Sequence, residues 1–563
     1  MILKALYDYY HRSGDDVAPF GLEYKEIGFI IVIDRCGKFL RFEDRRIDKK
    51  SAQRFLVKKS VSRSSAPVAN YLYDNCKYVF GYSDKGDMEK IRKYFEVFKA
   101  KVKDIYDAFP DNEDIKAVYA FYQQDHSFIV GAMQKDSLWD DIAKNLNKKY
   151  STFSFLIEGD TKIVASKREL INLFDENHGV AGNLCLITGT TATKILGSQE
   201  TAKLVAFQVN SGYDSYGKSK GYNAPISEEA EFAYTTALNH LLRSDSHNKF
   251  MVGSRTYLFW ASSNSEASKE SENSLFSLLG RIEEENDDSN RRIKLVYDTF
   301  QSIYNGKLSA NDDDKFFILG LAPNSARIAV VYWNEMPLRE FAGLISKHFT
   351  DMEMVDTRKD KKPYVGMHSI LGNVTLGGKS SDATPNLPDA VVRSIFQGLP
   401  YPASLFQACI RRIRAEQSVN IVRAAIIKAY LNRLNENNNH KKLDIMLDKE
   451  NQNQGYLCGR LFAVLENLQY AANKQDSIRS SYMNAASSTP STVFSTVLKL
   501  SNSHYAKLAK EKKGLANFFD NQKKEIIVLI QNFPNTLSLE DQGRFFLGYY
   551  HQKAHRENQE TEE

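Results

Sequence analysis

Between Arg35 and Arg63 the chain carries eleven Lys or Arg against three acids, Glu43, Asp44 and Asp48, a local net of +8. The whole chain of 563 residues carries only +5. This run leads into Ser60-Val61-Ser62-Arg63-Ser64-Ser65-Ala66-Pro67, with Asn70, Tyr71, Tyr73 and Asn75 just behind it. Lys and Ser suit phosphate oxygens, whereas Arg and Asn can fork onto base edges in a groove. Lys58, Lys59, Arg63, Ser64, Asn70 and Asn75 are therefore candidate nucleic-acid contacts. The plain alternative is a solvated, charged hairpin.

A second donor-rich stretch runs from Asn210 to Pro225 and includes Ser215, Tyr216, Lys218 and Lys220. Its lysines suit a phosphate backbone, and Tyr216 or Tyr222 could stack on an unpaired base. Two enzyme motifs compete for the same region. Gly217-Lys218-Ser219-Lys220-Gly221 spells G-x-S-x-G, but a nucleophile elbow needs an apolar strand running straight into it, and the apolar run here ends at Val209. Gly189 to Lys194 starts like a phosphate-binding loop yet lacks the second glycine before the lysine.

A third basic stretch, Leu405 to Arg433, holds Arg411, Arg412, Arg414, Arg423, Lys428 and Arg433 against the single acid Glu416. Arg412 and Arg423 are eleven residues apart, three helical turns, so a continuous helix would set them on one face. That face either tracks a nucleic-acid backbone or is simply solvated.

His551 and His555 have the i, i+4 spacing of a metal pair, but helix-terminal histidines so spaced are more often surface residues. There is no HExxH and no His-Asp dyad. The five cysteines, Cys36, Cys76, Cys185, Cys409 and Cys458, form no CxxC, which fits a reducing compartment. These absences argue against an enzyme and against a metal or other cofactor. They leave a nuclease or hydrolase using the 210–225 loop, or an RNA-binding scaffold, as the alternatives.

The elements that must position these residues can be read from periodicity. Residues 1–12 suit an amphipathic helix, and Gly28–Asp34 with Lys38–Phe42 suit two strands joined around Cys36-Gly37. Residues 85–150 read as mostly helical. Strands are expected at Phe153–Ile157, Lys162–Ala165, Cys185–Gly189, Leu204–Val209 and Met251–Trp260, a helix at Glu228–Leu242, and a hairpin at Phe316–Trp333. The Ser/Glu-rich 262–290 segment suits a mobile insertion, and 356–386 a linker.

From Met446 onward, apolar residues recur at helical spacing between turn signals at Pro490, Gly514 and Pro534. They predict a bundle of about four antiparallel helices that could fold alone. The fold class is α+β: a mixed strand and helix region over 1–385, a basic helical connector over 386–445, and a helical bundle over 446–563. No stretch of 18 uncharged apolar residues and no signal-peptide run occurs, so a cytoplasmic protein without a membrane span is expected.

Several of these stretches together resemble one family, the large subunit of the type I-C (Dvulg subtype) CRISPR surveillance complex, Cascade. They include Met1-Ile2-Leu3-Lys4-Ala5-Leu6, Ser215-Tyr216-Gly217-Lys218 with Asn223-Ala224-Pro225, and Leu321-Ala322-Pro323-Asn324-Ser325-Ala326-Arg327. The most specific are Gly459-Arg460-Leu461-Phe462-Ala463-Val464-Leu465-Glu466 and Gln542-Gly543-Arg544-Phe545-Phe546-Leu547-Gly548-Tyr549-Tyr550.

The resemblance implies a non-catalytic DNA-binding subunit without cofactors. Such a subunit assembles with backbone, guide-end-capping and small subunits around a guide RNA. It reads a short duplex motif beside the target, helps open the double-stranded DNA, holds the displaced strand and supports recruitment of a helicase-nuclease. That logic leaves sequence reading to base pairing and the adjacent motif to protein. The resemblance also implies that the C-terminal bundle is made separately as a small subunit from an internal start, for which Met446 is the best-placed methionine.

Overall fold

The computed structural model describes residues 1–49, 51–61, 63, 66–83, 87–148, 150–171, 183–192, 204, 220–243, 245–252, 255–279, 289–324, 327–357, 365–384, 386–434, 436, 441–475 and 477–562. Among these the fold is α+β, as expected, with small sheets in the first two thirds and helices dominating the rest. The chain divides into two compact units between His240 and Leu241. The expected edges at 385/386 and 445/446 both fall inside the second unit.

The first unit contains strands β1 (Leu22–Glu26), β2 (Phe29–Ile33), β3 (Phe39–Asp44), β4 (Arg54–Lys58), β5 (Tyr73–Asn75) and β6 (Thr152–Ile157). Its main sheet has the order β3-β2-β6-β5, with β2 and β6 parallel. β2 is Phe-Ile-Ile-Val-Ile and every side chain is buried, the pattern of a central strand covered on both faces. β1 and β4 form a separate antiparallel ribbon.

The turn joining β2 to β3 lies where the sequence placed it. The Asp34 carboxylate accepts from the amides of Cys36 and Lys38, both at 2.9 Å. Gly37 takes φ +81°, and a Cβ there would sit 2.4 Å from the Phe121 amide nitrogen, so both its backbone angle and its surroundings demand glycine. Helices Met88–Ala108, Glu113–Gln123 and His126–Met133 start on Asp87, Asn112 and Asp125, whose side chains accept from first-turn amides.

Two expected strands of this unit are not strands. Val164–Ser166 forms a 3₁₀ turn, and Ile163, Val164 and Ala165 are apolar because they fill the core. At 183–192, β7 (Asn183–Leu184) pairs with β8 (Thr191–Ala192), and Cys185–Gly189 is the turn between them, closed by the Gly189 amide donating to the Cys185 carbonyl at 2.9 Å. Residues 205–209 of the next expected strand lie outside the described residues. Helix Glu228–Leu242 has the expected bounds.

In the second unit, β9 (Lys249–Val252), β10 (Arg255–Ala261), β11 (Lys315–Asn324) and β12 (Arg327–Pro337) form an antiparallel sheet in the order β12-β11-β10-β9. The single strand expected at 251–260 is thus the two strands β9 and β10, with Val252 paired to Arg255. Helix Leu338–Met352 packs beneath the sheet, where the Phe341 ring stacks on Phe316 at 4.4 Å.

The expected insertion at 262–290 holds a helix, Glu266–Leu279, with Ala267, Ser271, Leu275 and Leu278 buried. Its apolar face is too sparse to stand out against the Ser/Glu background. Likewise, 365–374 carries the helix Met367–Gly372, and Met367, Ile370 and Leu371 join the unit's core.

Among the described residues, five helices follow Met446: Gln454–Asn473, Ser477–Ala486, Pro490–Glu511, Lys513–Leu529 and Leu539–Glu562. Gly514 lies inside the fourth, and the break before it falls at Lys512. The first and fifth run parallel and touch backbone to backbone. A Cβ on Gly455 would meet the Asp541 carbonyl at 2.5 Å, one on Gly459 the Phe545 carbonyl at 1.9 Å, and Arg460 reaches Gln552 at 3.1 Å. These helices share one buried core with β9–β11, with Leu338–Met352 and with the helices Ala403–Glu416 and Ile421–Leu434.

Candidate nucleic-acid interface

The chain leaves β4 at Lys58 and returns as β5 at Tyr73. The Tyr73 hydroxyl donates to the Lys58 carbonyl at 2.6 Å and lies 3.1 Å from both Ser60 Oγ and Glu23 Oε1, tying the two strand ends together. Burial, with the Glu23 carboxylate beside it, pushes that hydroxyl's pKa up. Leu72 just before takes φ +61°, a left-handed conformation that costs a non-glycine residue about 1–3 kcal/mol. Its side chain is fully buried and its carbonyl accepts from Ser154 Oγ at 2.9 Å, which holds it there.

Asp74 follows, 1% exposed, and gathers the surrounding loop. Its Oδ2 accepts from the Asn70 amide at 3.0 Å and from Arg63 Nη2, and its Oδ1 accepts from the Asn75 amide at 2.9 Å. Burial raises the carboxyl's pKa, against the pull of the Arg63 guanidinium and the two amides. Arg63 is fixed from three sides. Nε donates to the Val68 carbonyl at 2.8 Å, Nη2 pairs with Asp74, and the guanidinium lies 4.1 Å over the Tyr78 ring. Among the described residues its Nη1 has no hydrogen-bond partner.

Around this point lies a cleft of about 330 Å³ lined by Lys25, Arg63, Asn70, Asp74, Asn75, Lys77, Asn147 and Lys148 among others. Four cations face one buried, engaged carboxylate. Asn75 Oδ1 accepts from the Lys77 amide at 3.1 Å and starts the short helix Cys76–Val79, which leaves its amide NH₂ for a ligand. The Asn70 carbonyl oxygen is taken by the Val61 amide at 2.9 Å, so Asn70 pins the loop. The wall can therefore offer hydrogen-bond donors to phosphate oxygens or acceptor-rich base edges.

Three of the six residues singled out in the sequence, Arg63, Asn70 and Asn75, meet in this cleft. Lys58 and Lys59 do not line it: their ammonium groups lie over the rings of Tyr71 at 5.6 Å and Phe232 at 5.1 Å. Ser64 is outside the described residues, as are Ser215, Tyr216 and Lys218; Lys220 opens the 3₁₀ turn Lys220–Asn223. Asp74, Lys25, Lys77 and Lys148 were not singled out. Only Lys77 adjoined the Asn70–Asn75 stretch, and Lys25 and Lys148 arrive from β1 and from the turn before β6.

The basic helix face expected over 405–433 is broken in two ways. Helix Ala403–Glu416 ends at Gln417, which takes φ +50°, and a second helix begins at Ile421, so no continuous helix joins Arg412 to Arg423. Arg423, Lys428 and Arg433 are also buried. Arg423 donates to the Asn373 and Ser418 carbonyls, Lys428 to the Thr350 carbonyl, and Arg433 pairs with Asp351. Arg412 pairs with Glu416. Arg411 stays exposed and Arg414 half-buried.

His551 is not a surface residue. It is buried, with Nδ1 2.9 Å from the Tyr456 hydroxyl. No group of three or more His, Cys, Asp or Glu placed to hold a metal ion occurs among the described residues. Nor is any helix among them long and apolar enough to cross a membrane.

A family model described as CRISPR-associated protein (Cas_Csd1) matches residues 6–556. No curated protein matches the chain.

Proposed function

The chain belongs to the Cas_Csd1 family of CRISPR-associated proteins, and from that premise we propose that it is the non-catalytic, DNA-binding large subunit of a type I-C guide-RNA surveillance complex. In this reading the cleft between β5, the Arg63 loop and Lys148 takes the short duplex motif beside the target. Arg63 and Asn75 face base edges, and Lys25, Lys77 and Lys148 hold phosphates. The observation that carries it is the convergence of four cations and three asparagines on one cleft in which Asp74, the one acid among the described lining residues, is already occupied.

The subunit then helps open the duplex, keeps hold of the displaced strand and supports recruitment of a helicase-nuclease. The helices after Met446 are also produced separately as a small subunit. Backbone and guide-end-capping subunits complete the assembly.

The test uses the full chain in its reconstituted guide complex and target duplexes with matched or scrambled adjacent bases. Lys77→Ala with Lys148→Ala should weaken both duplexes alike and flatten the salt dependence by roughly one power of salt per lost phosphate contact. Asn75→Ala should narrow the gap between matched and scrambled duplexes. An unchanged salt slope together with an unchanged gap overturns the assignment of the cleft. Cleavage of DNA by the isolated chain with Mg²⁺ or Mn²⁺ overturns the non-catalytic role.

A further inference from the structure

Asp74 is in contact with all three of Arg63, Asn70 and Asn75. It sits on β5, paired to Phe153 of the buried strand β6, so its backbone is fixed by the sheet. Its neighbour Tyr73 anchors the end of β4 on the opposite side of the strand. The left-handed Leu72, held by Ser154, turns the chain into this position. A rigid strand thus delivers one carboxylate to the point where a loop must be held. That carboxylate takes Nη2 of Arg63 while the Val68 carbonyl takes Nε, which holds the guanidinium of a side chain that lines the cleft.

We propose that Asp74 is a positioning residue for motif reading: it aims the Arg63 guanidinium, and through the Asn70 and Asn75 amides it sets the loop and the amide beside it, without itself contacting DNA. This rests on the assignment of the cleft to the adjacent motif. Its carboxylate would repel phosphate if it faced solvent, yet it is buried and neutralised by Arg63, so its negative charge serves orientation. An arginine left free to rotate would still attract phosphate but would discriminate poorly between base edges.

Asp74→Asn keeps the shape and one acceptor oxygen but removes the charge. In the reconstituted guide complex it should lower the ratio of matched to scrambled duplex affinity by roughly fivefold or more, the range of one bidentate base contact. Affinity for the scrambled duplex and the salt slope should stay near those of the unaltered chain. Adding Asp74→Asn to Arg63→Ala should cost clearly less than the sum of the two single losses, because the carboxylate acts mainly through the arginine. If Asp74→Asn does not fold, Asp74→Glu serves: it keeps the charge, displaces the guanidinium by one methylene, and should also lose discrimination.

Wild-type discrimination in a folded Asp74 variant overturns the role of Asp74. So does an equal loss on both duplexes, which marks a purely structural residue, or a full additive loss on top of Arg63→Ala. If Arg63→Ala itself binds both duplexes as the unaltered chain does, the assignment of the cleft fails first.

Discussion

His348 and His551 are each buried against a tyrosine hydroxyl, Tyr401 at 2.7 Å and Tyr456 at 2.9 Å. Burial, with Arg433 beside His348 and Lys428 beside His551, pushes both pKa values down to about 3 from 6.5. Both are therefore neutral in the folded chain at pH values where the unfolded chain protonates them. Stability is full above about pH 6.5 and declines as pH falls from there toward about 3, by roughly 1.4 kcal/mol per unit for each histidine. Urea unfolding at pH 7 and pH 5.5 should show this slope, and His551→Gln, which can keep the bond to Tyr456, should reduce it by about half. At this scale the sequence exposed the exposed chemistry best. Arg63 and Asn75 stood out because a basic run led to them. Asp74 did not, because a lone acid among aromatics signals nothing until the fold buries it under an arginine. Arg423, Lys428 and Arg433 misled for the converse reason: their charge is visible in the sequence, while the groups that absorb it are the carbonyls of residues 350, 373 and 418 and the Asp351 carboxylate.

The helix pair Gln454–Asn473 and Leu539–Glu562 depends on Gly459, since a Cβ there would lie 1.9 Å from the Phe545 carbonyl. Neither backbone can yield without separating the helices, so Gly459→Ala should cost about 3 kcal/mol, read as a lower unfolding midpoint by circular dichroism. By comparison Gly514→Ala, at an exposed position with open space around it near the start of its helix, should be neutral or stabilising by up to about 1 kcal/mol. Elements with a strong period were legible: β2, β6 and the 228–242 helix lie where periodicity put them, whereas after Met446 five helices stand where about four antiparallel ones were expected, and Gly514 lies inside one of them. The misses share a cause. Over Lys162–Ala165 and Cys185–Gly189, short apolar runs suggest strands, but such a run reports burial and not backbone state. At Glu266–Leu279, serine at buried positions hid a packed helix. The stop at Gln417 had no glycine to announce it, because a non-glycine residue takes the left-handed position there.

Across the second unit, a single core runs from Phe250 to Tyr549. Gly543 of the last helix lies so close to Phe406 and Ile427 that an added Cβ would come within 2.6 Å of the phenylalanine ring, and the Tyr550 hydroxyl donates to the Val355 carbonyl at 2.7 Å. A fragment beginning at Met446 would therefore bare a face that the long chain covers. Expression of the gene with Met446→Leu should remove the 446–563 fragment from the mass spectrum and retain the full-length chain; a fragment that persists means that another start is used. The shared core also orders events on the ribosome. Met1 to His240 can close its own core while later residues are still being made, and domains generally fold as they emerge. The helix Gln454–Asn473 cannot: the helix Leu539–Glu562, which it needs at Gly459, is translated well after it. Until then its buried face, Leu461 and Leu465 included, lacks that cover, so slowing translation before Leu539 should lengthen the interval in which a holdase chaperone can bind the nascent chain.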